Sequence, residues 1–143
     1  MDAAVQKQPL EVEIYLPVKT YDYDIDFAGV VSNIVYVRWL EDLRIEMLDR
    51  HFPLGDLLNH GIAPIIVQTK IDYKESIKLS DKPSGKMWIK AMEAVRWSVS
   101  AEISMNNKVA AFGEQVGIFV NVQNNKPVRI PAGLKQKYLK FVA

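Results

Sequence analysis

Asp24 and Asp26 stand two residues apart in the run Asp24-Ile25-Asp26-Phe27-Ala28-Gly29-Val30-Val31-Ser32-Asn33, which passes directly into an apolar stretch of helical composition. A carboxylate can act as a general base or as a nucleophile. A helix start carries N–H groups without intrahelical acceptors and the positive end of the macrodipole. Together these are the two parts that acyl transfer uses: a group that attacks or activates water, and donors that hold a developing oxyanion. The same residue types also build an ordinary helix cap with a glycine turn before it, so the local pattern leaves a structural reading beside the chemical one. If the two carboxylates meet, their repulsion raises one pKa, while the helix dipole acts in the opposite direction.

Other chemistries find little in the chain. It has no cysteine, which removes a disulfide framework, a thiol nucleophile and any Cys-ligated zinc site. His51, after the last turn of the helix, and His60, in a loop, lack metal-ligand spacing and read as structural. Pro83-Ser84-Gly85-Lys86 is no phosphate loop, because Ser80 stands where the first glycine belongs and Met87 where Ser or Thr belongs. There is no G-x-S-x-G elbow. Lys86, Trp88, Lys90, Met92, Ala94 and Arg96 share a strand face by period two. Lys86, Lys90 and Arg96 there offer charge to an anionic ligand and Trp88 a flat aromatic platform, or the row is simply a solvated face.

Such a site needs a scaffold that holds a loop against a helix start. Residues 1–9 read as a flexible N-terminal arm. Leu10, Val12, Ile14, Leu16 and Val18 then alternate with Glu11, Glu13, Tyr15, Pro17 and Lys19, the period of a half-buried strand. Pro17 cannot donate to a ladder and predicts an edge or a bulge. Residues 21–26 continue the alternation but carry too much Asp for a strand, and read as its end running into a loop closed at Gly29. Ser32 or Asn33 is an N-cap type for a helix over residues 34–50. The first half of that helix is apolar nearly all round, which predicts burial; the second half turns Glu41, Asp42, Arg44, Glu46, Asp49 and Arg50 outward.

After a polar connector (55–61) the pattern becomes β. Strands are expected over residues 65–74, 86–96, 97–105 and 110–122, with a turn at 80–86 and a two-residue hairpin at Asn106-Asn107. Ala110, Phe112, Val116, Ile118, Val120 and Val122 form the expected buried set of the last strand. Gly113 and Gly117 fall on its other face, where they admit another backbone. Residues 131–141 are expected to form a short C-terminal helix. This order predicts a single α+β domain over residues 1–143: an antiparallel sheet of about five strands wrapped around one long central helix. Open sheet edges predict pairing into a homodimer or a dimer of dimers.

Composition narrows the function classes. Eighteen Lys+Arg balance 17 Asp+Glu over 143 residues, which argues against a dedicated nucleic-acid binder. Apolar residues at 49% and charged residues at 24% are ordinary for a globular chain. The first residues lack the apolar core of a signal peptide and no stretch reaches the ~20 apolar residues of a membrane helix, so the expectation is a cytoplasmic protein with neither nucleic acid nor membrane as partner.

The run from Asp24 to Glu41, together with Lys126-Pro127-Val128-Arg129-Ile130-Pro131, resembles the hot-dog-fold acyl thioesterases, and within them the 4-hydroxybenzoyl-CoA thioesterase-like family. Asp24, Asp26, Gly29, Val30, Val31, Tyr36, Arg38, Trp39 and Glu41 match in place. The resemblance implies an acyl-CoA thioesterase that releases a carboxylic acid and a thiol, with no cofactor beyond the coenzyme A of its substrate. It implies that Asp26 is the catalytic carboxylate, as nucleophile or base, and that Asp24 orients. It further implies that amides around Ser32 and Asn33 polarise the carbonyl, with Gly29 allowing the close turn beneath. Ser98 corresponds to a pantetheine contact. Phe27, Tyr36 and Trp39 either line an acyl tunnel or pack in the core. Ser32-Asn33 is also similar to the Asn-Asn pair of the acyl-carrier-protein thioesterases, so the carrier stays open between the two. The other readings are a non-catalytic dimer that binds an acyl thioester and, last, a lyase of the same fold.

Overall fold

The apolar run after Ser32 folds as one long helix, α1 (Asn33–His51), with Ser32 as its N-cap residue. The computed structural model of the chain describes residues 13–142; the expected strand positions Leu10 and Val12 and the arm over 1–9 lie outside them. In chain order the elements are β1 (Ile14–Pro17), a 3-10 turn (Asp22–Asp24), α1, α2 (Leu54–Asn59), β2 (Ile62–Tyr73), β3 (Ser84–Met92), β4 (Arg96–Met105), β5 (Lys108–Asn121), β6 (Pro127–Val128) and α3 (Ala132–Val142). The strands form one antiparallel sheet in the order β1-β3-β4-β5-β2, with β6 paired to β5. Pro17 sits on β1 at the sheet edge, where its missing donor does no harm. Asn106 and Asn107 turn the β4–β5 hairpin with φ of 50° and 63°, the left-handed pair a type I′ turn requires.

α1 lies on one face of the sheet and supplies the middle of the core through Val35, Tyr36, Trp39, Leu40, Leu43 and Met47. The sheet meets it with small residues. A Cβ on Gly85 would lie 2.8 Å from Leu43, and one on Gly113 would lie 3.2 Å from Leu40. These glycines therefore let the helix settle close to the strands. That reverses the expected facing through the middle of β5: Ala111, Gly113, Gln115, Gly117 and Phe119 point to the helix, while Phe112, Val116 and Ile118 lie half-buried on the outer face; Ala110 and Val120 are buried as expected, and Val122 stands exposed. Hydropathy misleads there because the inner row holds two glycines and a buried Gln115. The glutamine is satisfied by Arg44 Nη1 (3.0 Å) and by donating to Thr69 Oγ1 (3.1 Å).

Three further departures have physical causes. Bulges at Ile66/Gln68 and Ile89/Ala91 shift the strand alternation by one. The second turns Met92 inward, opposite Trp97, so it leaves the row of Lys86, Trp88 and Lys90. The connector after α1 contains the short helix α2, whose Leu57 reaches the core. Finally, the first half of α1 is not buried all round, since Ile34 and Val37 stand exposed; one sheet covers only one side of a helix. Among the described residues no helix is long and apolar enough to cross a membrane.

Candidate active site

Asp26 begins a tight loop that is built around its own carboxylate. Its Oδ1 accepts the Ala28 N–H at 2.8 Å and, at a longer 3.4 Å, the Val30 N–H. Main-chain bonds from Asp26 N–H to Val30 O (2.9 Å) and from Gly29 N–H to Asp26 O (3.0 Å) close the loop. Gly29 has φ of +82°, a conformation that L side chains resist. Oδ2 of Asp26 has no hydrogen-bond partner among the described residues, so the loop holds one carboxylate oxygen and leaves the other available.

The helix start lies in the same cleft. Asp26, Ser32, Ile34 and Val35 line it together with Tyr23, Asp24, Ile25 and Arg38. Ser32 makes no capping hydrogen bond through its side chain, and its carbonyl accepts the Val35 N–H at 3.0 Å. The Asn33 and Ile34 amides find no acceptor among the described residues. Of these two residues Ile34 lines the cleft that holds the Asp26 carboxylate, so one unoccupied donor at the positive end of α1 stands beside it, an arrangement suited to polarising a carbonyl.

Asp24 does different work. It is 3% exposed, and both its oxygens are engaged: Arg38 Nη1 donates to Oδ1 (2.8 Å), while Arg38 Nη2 (2.7 Å) and the Tyr21 N–H (2.8 Å) donate to Oδ2. Its main-chain oxygen accepts the Ser32 N–H at 2.9 Å. Asp24 therefore ties the loop, the cap residue and the helix together. The Arg38 guanidinium first, and the Tyr21 amide with it, hold the Asp24 carboxyl below the usual carboxylate range against the opposing cost of burial. The shift has the opposite sign to the repulsion expected between neighbouring carboxylates, because the arginine dominates.

That pair gives a pH-dependent test. A carboxyl whose pKa is depressed by folding stabilises the fold above its unfolded pKa of ~4, and loses that contribution as pH falls through the folded value. Asp24→Asn is expected to cost about 2 kcal/mol at pH 7, the scale of hydrogen bonds to a charged group. In urea unfolding followed from pH 7 down to 2, the gap between the two proteins should close on the acid side. A gap unchanged at pH 2 would show that the charged pair is not its source.

The structure separates the remaining residues proposed for the site. Asn33 faces a neighbouring groove with Val30, Val31, Tyr36 and Tyr73, and its carbonyl accepts the Tyr73 hydroxyl at 3.1 Å. Tyr36 and Trp39 are core residues, Trp39 being 0% exposed with its Nε1 donating to Lys19 O at 2.9 Å; neither lines the Asp26 cleft. Phe27 is wholly exposed at the loop tip. Lys86, Trp88, Lys90, Arg96 and Ser98 project from the sheet face opposite α1, away from the cleft within one chain. There Lys86 pairs with Glu102 (3.7 Å) and Lys90 with Glu114 (2.8 Å). Trp88 lies beneath the Lys86 ammonium and beside Phe112.

Sequence reasoning assigned no site role to Arg38, Tyr23 or Ile34. A usable signal existed for Arg38, which is the one cation in the otherwise apolar first half of α1.

A family model described as the thioesterase-like superfamily matches residues 20–138. An Arabidopsis thaliana protein described as acyl-acyl carrier protein thioesterase ATL3, chloroplastic, is 28% identical over 134 residues, covering 92% of this chain and 68% of that protein. Among solved structures, a DHNA-CoA thioesterase from Staphylococcus aureus superposes with a TM-score of 0.81 at 22% identity, covering 90% of this chain and 89% of the other. The probable thioesterase YbaW from Escherichia coli gives a TM-score of 0.78 at 20% identity, covering 92% and 98%. The expected hot-dog architecture is therefore the observed one.

Proposed function

The chain belongs to the thioesterase-like superfamily and is a thioesterase, and from that premise we propose that it hydrolyses acyl-CoA thioesters in the cleft between the Asp26 loop and the start of α1. One observation carries the reading: the Asp26 carboxylate, its Oδ2 without a partner among the described residues, lines the same cleft as Ile34, whose amide lacks an acceptor there. The thioester carbonyl oxygen accepts from the Ile34 amide at the start of α1. Asp26 then either attacks the carbonyl carbon or removes a proton from a water that attacks it. In both routes the tetrahedral oxyanion collapses and the C–S bond breaks. In the first route the resulting mixed anhydride is cleaved by water. Each route consumes one water and yields a carboxylic acid and a thiol, so the same carboxylate serves both.

Exposed apolar side chains stand on the loop and on the first turns of α1. They are Phe27, Ile34 and Val37, and among the described residues β2 has an unpaired edge. A second copy of the chain, covering the helix start or extending the sheet, would bury that surface. This supports the homodimer; the outer sheet face, with Trp88 and Phe112 half-buried, is the surface available to a dimer of dimers.

A second reading concerns only the carrier. The Arabidopsis relative is named for an acyl-acyl carrier protein, which favours that carrier in place of coenzyme A. The test is a thiol-release screen over short, medium and long acyl-CoAs, aryl-CoAs and acyl-carrier-protein thioesters. Turnover of at least one CoA thioester well above the carrier-protein thioesters supports the first reading. The reverse order supports the second, and tight binding without thiol release would contradict hydrolysis altogether.

A further inference from the structure

Next to the Asp26 cleft stands a pair of stacked aromatic rings that neither the core nor the chemistry proposed above uses. Tyr21 and Tyr23 lie with ring centroids 5.2 Å apart and planes 4° from parallel. The inner ring is held in place. The Tyr21 N–H donates to Asp24 Oδ2 at 2.8 Å, and the Lys19 ammonium and Arg38 guanidinium lie 4.7 Å and 5.2 Å from its centroid. The outer ring, Tyr23, lines the cleft with Asp26 and is 78% exposed.

Tyrosine in this position is not there for packing. Neither ring belongs to the hydrophobic core, and a phenol left this exposed contributes little to stability by burial. What the arrangement provides is one free aromatic face, pre-positioned by a second ring and by two cations behind it. A ring held in advance binds a planar partner without the cost of ordering a mobile side chain. Cations beneath a π-system draw electron density toward themselves, which suits stacking of a further planar group on the outer side.

We propose that Tyr23, backed by Tyr21, is a stacking subsite for a planar conjugated ring carried by the thioester substrate. The proposal rests on the reading of the Asp26 cleft as the thioester site. Two parts of such a substrate have the required chemistry: an aryl acyl group and the adenine of coenzyme A. Stacking of this kind is removed by an aliphatic side chain and kept by phenylalanine, and it acts on binding more than on the chemical step.

The experiment uses four thioesters, benzoyl-CoA, hexanoyl-CoA, benzoyl-pantetheine and hexanoyl-pantetheine, with the wild-type chain, Tyr23→Leu and Tyr23→Phe. For whichever substrates bear the stacking ring, Tyr23→Leu should raise KM ~10-fold with kcat little changed, and Tyr23→Phe should keep the wild-type KM. A loss on both benzoyl substrates that spares both hexanoyl ones identifies the acyl ring. A loss on both CoA thioesters that spares both pantetheine ones identifies adenine. An equal loss on all four, or on none, overturns the subsite. Should the wild-type chain hydrolyse none of them, the acyl-CoA reading fails, and calorimetric titration of the same thioesters then decides the subsite alone. A Kd weakened ~10-fold by Tyr23→Leu, restored by Tyr23→Phe and confined to the ring-bearing compounds sustains it; any other pattern contradicts it.

Discussion

Gly117→Ala is expected to destabilise the protein by about 3 kcal/mol, the upper part of the range for overpacked cores. A single methyl is enough because of what lies above this position. A Cβ on Gly117 would fall 2.1 Å from Cζ2 of Trp97 and 2.5 Å from its Cε2 and Cη2, well inside contact distance. Trp97 sits directly opposite on β4, buried against Phe119 at a centroid distance of 6.2 Å. An indole ring is rigid, and this one is enclosed, so relief requires moving the ring, the strand or both. For a chain of this length the loss corresponds to a fall in Tm of roughly 10 °C. Gly133→Ala is the matched control: nothing lies within 4 Å of the added methyl, it falls in α3, and the helix propensity of alanine should stabilise slightly. Thermal unfolding of the two variants checks the contrast. A Gly117→Ala protein that melts like the wild type would show that the Trp97–Gly117 contact is not tight.

Residues read in sequence order revealed the parts of the fold that depend on local chemistry. Helix α1 announced itself by an apolar run behind a Ser-Asn start, and the β4–β5 hairpin by two residues that tolerate positive φ. The edge position of β1 followed from a proline that cannot donate. What depended on contacts between distant residues was harder to see. The facing of β5 was misread because glycine carries no hydropathy and because Gln115 is buried only by virtue of Arg44 and Thr69, 71 and 46 residues away. The bulges in β2 and β3 leave no mark in composition, so the row of Lys86, Trp88 and Lys90 seemed longer than it is.

The site divides in the same way. Asp26, Gly29 and Ser32 were legible because a contiguous loop and helix start bring them together. The resemblance implied an orienting Asp24, but the partner that engages it was not legible, since Arg38 lies 14 residues beyond it. Asn33 shares the helix start with Ser32 but turns to the other groove, a consequence of the 100° step between successive helical residues. Tyr36 and Trp39 match the family pattern as core residues, which the sequence could not distinguish from tunnel walls, because both roles call for large aromatic side chains.

Asp26→Asn carries the second large effect. Asparagine keeps the size of the side chain and an oxygen able to accept the Ala28 amide, so the loop should persist and substrate should still bind. It removes the charge and the basic oxygen that either route to hydrolysis uses. Loss of a positioned acid–base group costs ~10²–10⁴-fold in rate, and the loss should fall on kcat with KM little changed, because the α1 amide proposed to receive the carbonyl is untouched. Thioester binding, measured separately, should stay within a few-fold of the wild type. Asp24→Asn should lower kcat far less, since its carboxylate meets Arg38 and not the substrate. The decisive measurement is therefore single-turnover thiol release by Asp26→Asn, made on the best thioester from the screen with enzyme in excess and folding verified by its melting transition. A fall of at least 100-fold with binding retained is the expected result; release at the wild-type rate by a folded, substrate-saturated Asp26→Asn protein would contradict the assignment of hydrolysis to this carboxylate.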